Sequence, residues 1–404
     1  MAEGVRTTAA WRRDIETETN WPGAAPTNPG AGHKIPLRTE NITTNAGVRE
    51  RGVLSGQVSQ ESPKQNRLSG GGSIDLDLRY GALDRFWALS LGYENPDTDA
   101  TGGSPHQIAA GVEKHAYECH DIIRSYPWAA GERNASVGSP GDEGHWLAGH
   151  RRQNRGGLYI AKQTSVHRIW PAMVNGFQLS ATPEDAHVSF DTLGYQTVRQ
   201  ADFGQAGWTF YNNEDPDTSP GLAQVALFEL VVHFAVAEST SWLYQDLRIG
   251  EFNLSLNNNL RGDTHTSNSK YPVEFWRNGM RQVNGSMMFP QYLDDNFYNL
   301  ISAGGSVRGQ LLFEFTGPVI SGGNNAKLVF YLPSCTLRVD EAPVSGPEVL
   351  QRRVEFSAEK PLSSSPTSLV TGAGGFLQNI TTRKGGELYI GTTNTYDQNV
   401  YEND

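Results

Sequence analysis

The side chains best suited to binding a metal ion lie between residues 115 and 150. His115, Cys119 and His120 stand close together, and His145 and His150 follow. Zinc takes four nitrogen or sulfur ligands in a tetrahedron, and these His-x3-Cys-His and His-x4-His spacings could supply them. They match none of the common zinc modules, however, and are more typical of solvated loop histidines beside one buried or free cysteine. We therefore predict no metal-binding residues.

Pairs of carboxylates are the next candidates, because two carboxyl groups held at a defined separation can hydrolyse a glycosidic bond. Asp294-Asp295 lies at the start of a predicted helix and Glu184-Asp185 in a predicted turn, where capping and turn formation explain them better. Asp75 and Asp77 alternate along a predicted strand, so they face the same side and are expected to be in solvent. The chain has no Gly-x-Ser-x-Gly elbow, no Walker loop and no His-Glu-x-x-His motif. We predict neither catalytic nor cofactor-binding residues, and no enzyme.

The composition favours a protein that is rich in turns and not specialised for gripping nucleic acid. The chain has 404 residues, 44 of them glycine and 21 proline, which is typical of β-strands joined by long connections. Its 33 basic and 44 acidic residues give a net charge of -11, whereas binding to a phosphate backbone needs a basic surface. An acidic surface instead stays soluble and lets a polyanion pass without sticking.

Cysteine content and hydropathy predict the compartment. Cys119 and Cys335 lie too far apart in sequence to form a disulfide framework, so we expect a reducing compartment. The N-terminal residues lack the apolar segment of a signal peptide. The most apolar stretch, 225–236, contains Glu229 and His233 and is about half as long as a membrane span requires. We expect a protein that is made in the cytoplasm and has no membrane partner.

An internal repeat is the most informative pattern in the chain. A Gly-Ser pair at Gly72 opens a short alternating strand, and Asp84 then begins a helix with aromatic residues. Gly285 and Asp295 open the same two elements later in the chain. The glycines are 213 residues apart and the aspartates 211, so the two copies differ by only two residues in register. Chance is the alternative explanation, because Gly-Ser pairs and aromatic residues are frequent.

The predicted helix of the first copy covers residues 83–91. Asp84 is expected to cap it, because aspartate at a helix start accepts hydrogen bonds from free amides. Phe86 and Leu89 are three residues apart and are expected to share the buried face.

Alternating apolar and polar residues predict β-strands through the rest of the body. Residues 176–181 and 187–191 form a predicted hairpin around a turn at 183–185. The second half contains predicted strands at 251–256, 310–315, 327–332 and 354–358, with an Asn-rich stop at 257–259 and a turn at 322–325. The predicted fold class is therefore all-β, a β-sandwich with barrel-forming sheets and one short flanking helix per domain.

Changes in composition predict the domain organisation. Residues 1–40 and 361–404 are polar and rich in small residues, and we predict them to be an N-terminal and a C-terminal arm. Such segments either lock neighbouring subunits together in an assembly or are plain disordered tails, and both interpretations stay open. The body is predicted to contain two tandem domains, 41–240 and 241–360. Residues 93–157, rich in Gly, Pro, His and charge, are predicted to be a long insertion in the first domain, a projecting hairpin or loop used in contacts.

The order of elements in the second half resembles the phage tail tube family. A strand ending in an Asn-rich turn (252–260) precedes a Gly-Ser strand (285–289), a short helix, a strand ending in Leu-Pro (327–333) and a last strand (353–358). The first half is similar to another copy of this pattern, with Ser69–Leu76 at the Gly-Ser strand. The resemblance covers about two thirds of the chain, from near residue 40 to 360, and it depends on the order of elements and on the repeat.

This resemblance implies a virion structural protein, the major tail tube subunit of a siphovirus-like bacteriophage. In such tubes neighbouring subunits continue their inner sheets into a β-barrel, and a chain with two copies would form trimeric rings with pseudo-sixfold symmetry. Stacked rings would form the conduit for genome ejection, through which double-stranded DNA passes without specific binding. The implied partners are further copies of the chain, the tape measure protein, the tail terminator and distal tail proteins. The virion would be assembled in the host bacterial cytoplasm, and two copies favour a non-contractile tail.

Two other functions stay open. The nine tryptophans could form a carbohydrate-binding platform on a β-sandwich module that recognises a surface receptor, although they are scattered and better explained as core or interface residues. The chain could also be a tail-completion protein, which forms one ring and does not polymerise. Terminal arms distinguish these functions, because a stacking tube needs arms and a lone binding module does not.

Overall fold

The computed structural model describes most of the body of the chain. The described residues are 8–13, 34–35, 37–49, 64–95, 107–109, 112–119, 155–162, 165–200, 223–265, 272–289, 297, 299–301, 306–339, 352–361, 368–371 and 386–394. Antiparallel strands dominate them, so the predicted all-β fold with sandwiched sheets is confirmed.

The described residues form twenty-one strands and a few short helical segments. The strands are β1 (Thr8–Arg13), β2 (Lys34–Ile35), β3 (Leu37–Glu40), β4 (Thr43–Arg49), β5 (Lys64–Asp77), β6 (Gly92–Asn95), β7 (Gln107–Ala109), β8 (Val112–Cys119), β9 (Arg155–Lys162), β10 (Ser165–Ala181), β11 (Ala186–Gln200), β12 (Leu230–Val236), β13 (Tyr244–Leu247), β14 (Glu251–Asn257), β15 (Leu260–His265), β16 (Pro272–Arg277), β17 (Gln282–Phe289), β18 (Val307–Val319), β19 (Asn325–Val339), β20 (Arg352–Ala358) and β21 (Tyr389–Asn394). The helical segments are α1 (Asp84–Leu91), α2 (Ser368–Thr371), a 3-10 turn at Leu227–Glu229, and helical residues at Phe297 and 299–301. None of the helices in the described ranges has the length and apolar character needed to cross a membrane.

Two long hairpins confirm the strongest strand predictions. β10 and β11 pair along their length and are joined by residues 182–185, where the amide of Asp185 donates to Thr182 Oγ1 at 3.1 Å. β18 and β19 pair in the same way around Gly322 and Gly323, whose φ angles are 62° and 78°. Glycine adopts these angles without steric cost, which is why the Gly-Gly-Asn-Asn sequence forms the turn.

A long antiparallel sheet, which we call the seam sheet, runs through both halves of the chain. Its order is β3-β5-β11-β10-β14-β17-β20-β19. Successive side chains of a strand point to opposite faces, so the alternating sequence gives the sheet one apolar and one polar face. The apolar face is buried, as Ile74, Val188, Leu179, Leu254 and Met287 illustrate.

The two halves of the chain, which meet where β10 pairs with β14, repeat the same order of strand pairing. In the first half the neighbours are β3-β5-β11-β10-β9-β1-β2. In the second half they are β14-β17-β20-β19-β18-β12-β13. Helical residues follow β5 and β17 in turn, as the repeat in the sequence predicts. Because β12 pairs with β18, it belongs with the strands of the second half.

The helix α1 packs on the apolar face of the seam sheet. Phe86 and Leu89, which were predicted to share a face, are both buried. The indole of Trp87 lies 5.2 Å from the ring of Phe177 and 5.8 Å from that of Phe330, centroid to centroid. Because Phe330 belongs to β19, the hydrophobic core continues from the first half into the second.

Residues from the predicted insertion and the predicted arms take part in the sheets. β21 lies between β8 and β19 and pairs with both, and Tyr389 and Ile390 are buried. β1 and β2 pair with each other, β1 also pairs with β9, and β3 pairs with β5. These parts of 1–40, 93–157 and 361–404 are therefore folded against the body.

Candidate assembly surface

The polar face of the seam sheet forms a concave surface that crosses from one half of the chain to the other. The concavity has a volume of about 770 Å³ and is lined by strands β10, β11, β14, β17, β19 and β20. Short uncharged side chains occupy much of it: Gln178, Ser180, Ser189, Asn253, Ser255, Asn284, Ser286 and Ser357. Hydroxyl and amide groups bind water but carry no net charge, so this part of the surface is hydrophilic and weakly charged.

Charged side chains of both signs share this face. Its register places on it the carboxylates Asp75, Asp77, Asp191, Glu251 and Glu355 and the guanidinium groups of Arg338 and Arg353. Arg353 donates to Ser286 Oγ at 3.1 Å and lies 4.0 Å from a carboxylate oxygen of Glu355. Carboxylates outnumber arginines, which gives the face an acidic balance.

Ion pairs fix the strand at one edge of the seam sheet. Arg38 of β3 donates from Nη1 to Asp185 Oδ2 at 2.7 Å, and its Nε lies 3.4 Å from Asp77 Oδ1. The hydrogen bond from Arg38 lowers the pKa of the Asp185 carboxyl group below its ordinary value. Asp185 lies in the turn between β10 and β11, as predicted, and it also holds β3 in place.

A second group of polar side chains joins β18 and β19 to the residue that follows β20. Thr336 Oγ1 donates to Glu359 Oε1 at 2.5 Å, and Arg308 pairs with the other carboxylate oxygen. The hydrogen bond from Thr336, and then that from Arg308, lowers the pKa of the Glu359 carboxyl group.

The contact between β10 and β14, which we call the seam, joins the two halves within the seam sheet. Gly176–Ala181 of β10 pairs with Phe252–Asn257 of β14 in register. A Cβ atom on Gly176 would lie 2.0 Å from the carbonyl oxygen of Leu256, so only glycine allows this close approach. The register of β10 on β11 shifts between Val174 and Gly176, so a bulge at Asn175 precedes the seam.

The Asn-rich turn after β14 forms hydrogen bonds across the seam. The amide of Asn258 donates to the carbonyl oxygen of Asn175, and the amide of Leu260 donates to Asn175 Oδ1, both at 2.8 Å. The side chain of Asn258 is fully buried and donates from Nδ2 to the carbonyl oxygen of Ser90, at the end of α1, at 2.9 Å. The turn therefore ends the strand, as predicted, and also connects β14 to β10 and α1.

Arg281 extends these contacts to the C-terminal segment. Its Nε donates to Asn258 Oδ1 at 2.9 Å and its Nη1 donates to Glu387 Oε2 at 3.0 Å. Only 7% of the Arg281 side chain is exposed. We call Asn258, Arg281 and Glu387 the seam network.

Asp84 has a different role from the predicted helix cap. The N-cap position of α1 is Leu83, and no side chain caps the helix. The Asp84 carboxylate is buried and instead accepts hydrogen bonds from Tyr117 of β8 and from Thr392 and Asn394 of β21, at 2.9, 2.6 and 3.1 Å. The cap prediction was wrong because strands from the insertion and from the C-terminal segment reach this carboxylate.

The candidate metal ligands do not form a site in the part of the chain that the structure describes. His115 and Cys119 are buried on β8, and His115 Nε2 lies 3.2 Å from Glu113 Oε2. Burial raises the pKa of the Cys119 thiol to about 12. His120, His145 and His150 lie outside the described residues. Within the described ranges no group of His, Cys, Asp and Glu could hold a metal ion.

The other candidates for chemistry are dispersed. Asp75 and Asp77 lie on the polar face of β5, and Asp294-Asp295 is outside the described residues. Trp87 is in the core, and Trp242 packs 5.5 Å from the ring of His233. Among the described residues that line the concavity, Phe356 is the one aromatic residue and it is buried, so these residues do not provide the exposed rings of a carbohydrate platform.

Sequence reasoning missed Arg281, Glu387 and the buried role of Asn258. Asn258 was recognised only as part of a strand stop, because a run of three asparagines is typical of turns. The apolar run Leu388-Tyr389-Ile390 was the signal that could have revealed β21. No local pattern reveals that Arg281 and Glu387 are partners, since more than a hundred residues separate them.

The comparison with protein families agrees with this geometry. The family model described as phage tail tube protein matches residues 8–358, from the first residue of β1 to the last residue of β20. No curated protein matches the chain. The match spans most of the chain and includes both sets of paired strands and the seam between them. The chain belongs to the phage tail tube protein family.

Proposed function

We propose that this chain is the major tail tube subunit of a bacteriophage, and that it assembles into trimeric rings with pseudo-sixfold symmetry that stack into a tube. The observation that carries the proposal is the repeated order of strand pairing in the two halves, joined through the seam. One chain would supply two of the six units in a ring, and three chains would close it.

We further propose that the two units are tandem tail-tube-like domains, as predicted from residues 41–240 and 241–360. The pairing of β12 with β18 supports a boundary before β12, which assigns Leu230–Val236 to the second domain. The pairing of β1 with β9 supports assigning Thr8–Arg13 to the first domain instead of to a free arm.

Ring closure would use the outer edge of β3. In the described residues β3 pairs only with β5, whereas its counterpart β14 pairs with β17 on one side and with β10 on the other. An open strand edge leaves amide and carbonyl groups without partners, and pairing with another chain satisfies them. In the ring, the second domain of a neighbouring chain would cover β3 as β10 covers β14.

The concave polar face would line the lumen. Its short hydroxyl and amide side chains carry no charge, Glu355 and Glu359 balance Arg338 and Arg353 within the concavity, and carboxylates outnumber arginines along the wider polar face. Such a surface repels DNA phosphates weakly and holds a water layer, which lets a polyanion pass without specific binding. The genome would move along this face during ejection.

Membership in the family supports the remaining parts of the proposal. The role is structural and not enzymatic, and the protein would be located in the virion tail after assembly in the host bacterial cytoplasm. Its partners would be other copies of the chain, the tape measure protein, the tail terminator and distal tail proteins, in a non-contractile tail.

Negative-stain electron microscopy of the purified chain, concentrated at neutral pH, tests the assembly. We expect hollow tubes or stacked rings with threefold symmetry. Rings that never stack would support a tail-completion protein, and monomers that persist in the presence of a tape measure fragment would contradict the proposal.

Hydrogen exchange provides a second test, directed at ring closure. Amides of β3 should exchange more slowly in tubes than in the unassembled chain, since a neighbouring strand would then cover its outer edge. Amides of β11, whose two edges are paired with β10 and β5 in the single chain, serve as the control and should change little. Unchanged exchange in β3 would exclude this edge as the contact.

A further inference from the structure

The seam network connects three distant parts of the chain in one place. Asn258 follows β14, Arg281 precedes β17, and Glu387 precedes β21. Through Asn258 the network also reaches the carbonyl oxygen of Ser90 at the end of α1. The helix of the first half, the strands of the second half and the C-terminal segment therefore meet beside the seam.

The chemistry of the network favours a fixed geometry. Arg281 is almost fully buried, and its planar guanidinium group donates in two directions, to an amide oxygen and to a carboxylate. Asn258 uses both ends of its side-chain amide, since Nδ2 donates and Oδ1 accepts. A buried polar network whose groups have partners stiffens its surroundings, because any movement leaves a buried group without a partner.

The repeat shows which residues occupy the matching positions in the first half. Asn257 pairs with Gln282 in the second half, and Asn45 pairs with Ser69 in the first. The alignment that places the two Gly-Ser strands on each other also places the first of these pairs on the second. One step further along each strand, Asn258 and Arg281 correspond to Ala46 and Leu68, which pair with each other.

In a ring, the seam within each chain would therefore differ in chemistry from the contact between two chains. Within a chain, the seam carries an asparagine and an arginine that bond to each other. Where two chains meet at β3, the matching positions carry alanine and leucine, whose side chains have no hydrogen-bonding group. The side chains of Ala46 and Leu68 therefore cannot form such a hydrogen-bonded network at the contact between chains.

We propose that Arg281, acting with Asn258 and Glu387, is a positioning residue that makes the seam within each chain rigid. Three chains then assemble as stiff two-domain blocks, and the curvature of the ring adjusts only at the contacts between chains. This inference rests on the proposed function for its consequence in the ring, whereas the stiffness of the seam is a property of the single chain.

The test uses variants that place the first-half residue at the second-half position. Arg281→Leu and Asn258→Ala are compared with the wild-type full chain by hydrogen exchange before assembly. We expect amides of residues 176–181 and 252–258 to exchange about tenfold faster, because the seam opens more often without the network. Amides of the β18–β19 hairpin should keep their wild-type rates.

Two further variants separate positioning from general stability. Arg281→Lys keeps a positive charge for Glu387 but cannot donate in two fixed directions, so its seam should exchange at an intermediate rate. Arg308→Leu removes an arginine–glutamate pair on β18, which is four strands from β14 in the order of pairing, and should leave seam exchange unchanged. If Arg281→Leu fails to fold, Arg281→Lys and Glu387→Gln supply the same comparison in a milder form.

In assembled samples, the variants with a loosened seam should give rings of more variable diameter than the wild type. The inference is overturned if exchange rises uniformly over the whole chain, or if Arg308→Leu loosens the seam as much as Arg281→Leu does. Failure of the wild-type chain to form rings would instead overturn the proposed function, because the exchange experiment does not depend on assembly.

Discussion

Asp84 illustrates how a single residue acquires its role from distant partners. Its carboxylate lies at the start of α1, is only 3% exposed, and receives hydrogen bonds from two strands that are far away in sequence. Helix position alone predicts a cap for such an aspartate. The tertiary fold gives it a different function, because β8 and β21 deliver hydroxyl and amide donors to its oxygens.

Replacing Asp84 should therefore cost more than losing a cap. Asp84→Ala removes the carboxylate that accepts from Tyr117, Thr392 and Asn394 in the buried interior, and we expect the free energy of unfolding to fall by about 3 kcal/mol. Asp84→Asn keeps one acceptor oxygen and should cost about half as much. Urea denaturation measures both, with Asp246→Ala as an exposed control. Equal stability of Asp84→Ala and the control would refute this role.

Among the elements, β21 has the most consequence for the fold. It fills the space between β8 and β19, and both of its edges are paired. Without β21, β8 and β19 would each present an open edge. Asp84 would also lose two of its hydrogen-bond donors, Thr392 and Asn394.

A chain that ends at residue 385 tests the role of β21. Loss of Leu388, Tyr389 and Ile390 from the core should lower stability by about 5 kcal/mol, and the open edges should promote aggregation. A chain that ends at Asn394 keeps the strand and is the matched control. Size-exclusion chromatography and thermal melting compare the two, and equal melting temperatures would show that β21 is dispensable.

For the whole molecule, the ion pairs at the edges of the seam sheet predict a loss of stability in acid. Arg38 lowers the pKa of Asp185, and Thr336 and Arg308 lower that of Glu359. A carboxyl group with a lower pKa in the folded state stabilises the fold above its ordinary pKa of about 4, and that stabilisation disappears as the pH falls through the lowered value. Both carboxylates are 36% exposed, so each should contribute at most about 1 kcal/mol.

Urea midpoints measured between about pH 7 and about pH 3 check this expectation. Arg38→Met and Thr336→Val should each be less stable than the wild type at neutral pH and should lose less stability on acidification. Parallel curves for the wild type and both variants would mean that these pairs do not contribute to the acid transition.

Residue patterns along the chain were enough to predict the local elements and to indicate the family. Alternation of apolar and polar residues identified the β10–β11 and β18–β19 hairpins, because a strand buried on one face has a period of two residues. Glycines 322 and 323 identified a turn, since few other residues adopt their backbone angles. The order of these elements and the repeat of the Gly-Ser strand were enough to indicate a phage tail tube protein, and the family match confirmed it.

Which strands are neighbours, and which polar groups are buried together, depends on how the whole chain packs and could not be predicted from local patterns. The pairing of β10 with β14, of β21 with β8, and of Arg281 with Glu387 all join residues far apart in sequence. Hydrophobic periodicity specifies which face of a strand is buried but carries no information on the partner at its edge. Edge partners are selected when the whole chain packs, because backbone hydrogen bonds are alike for every strand and only packing distinguishes among them.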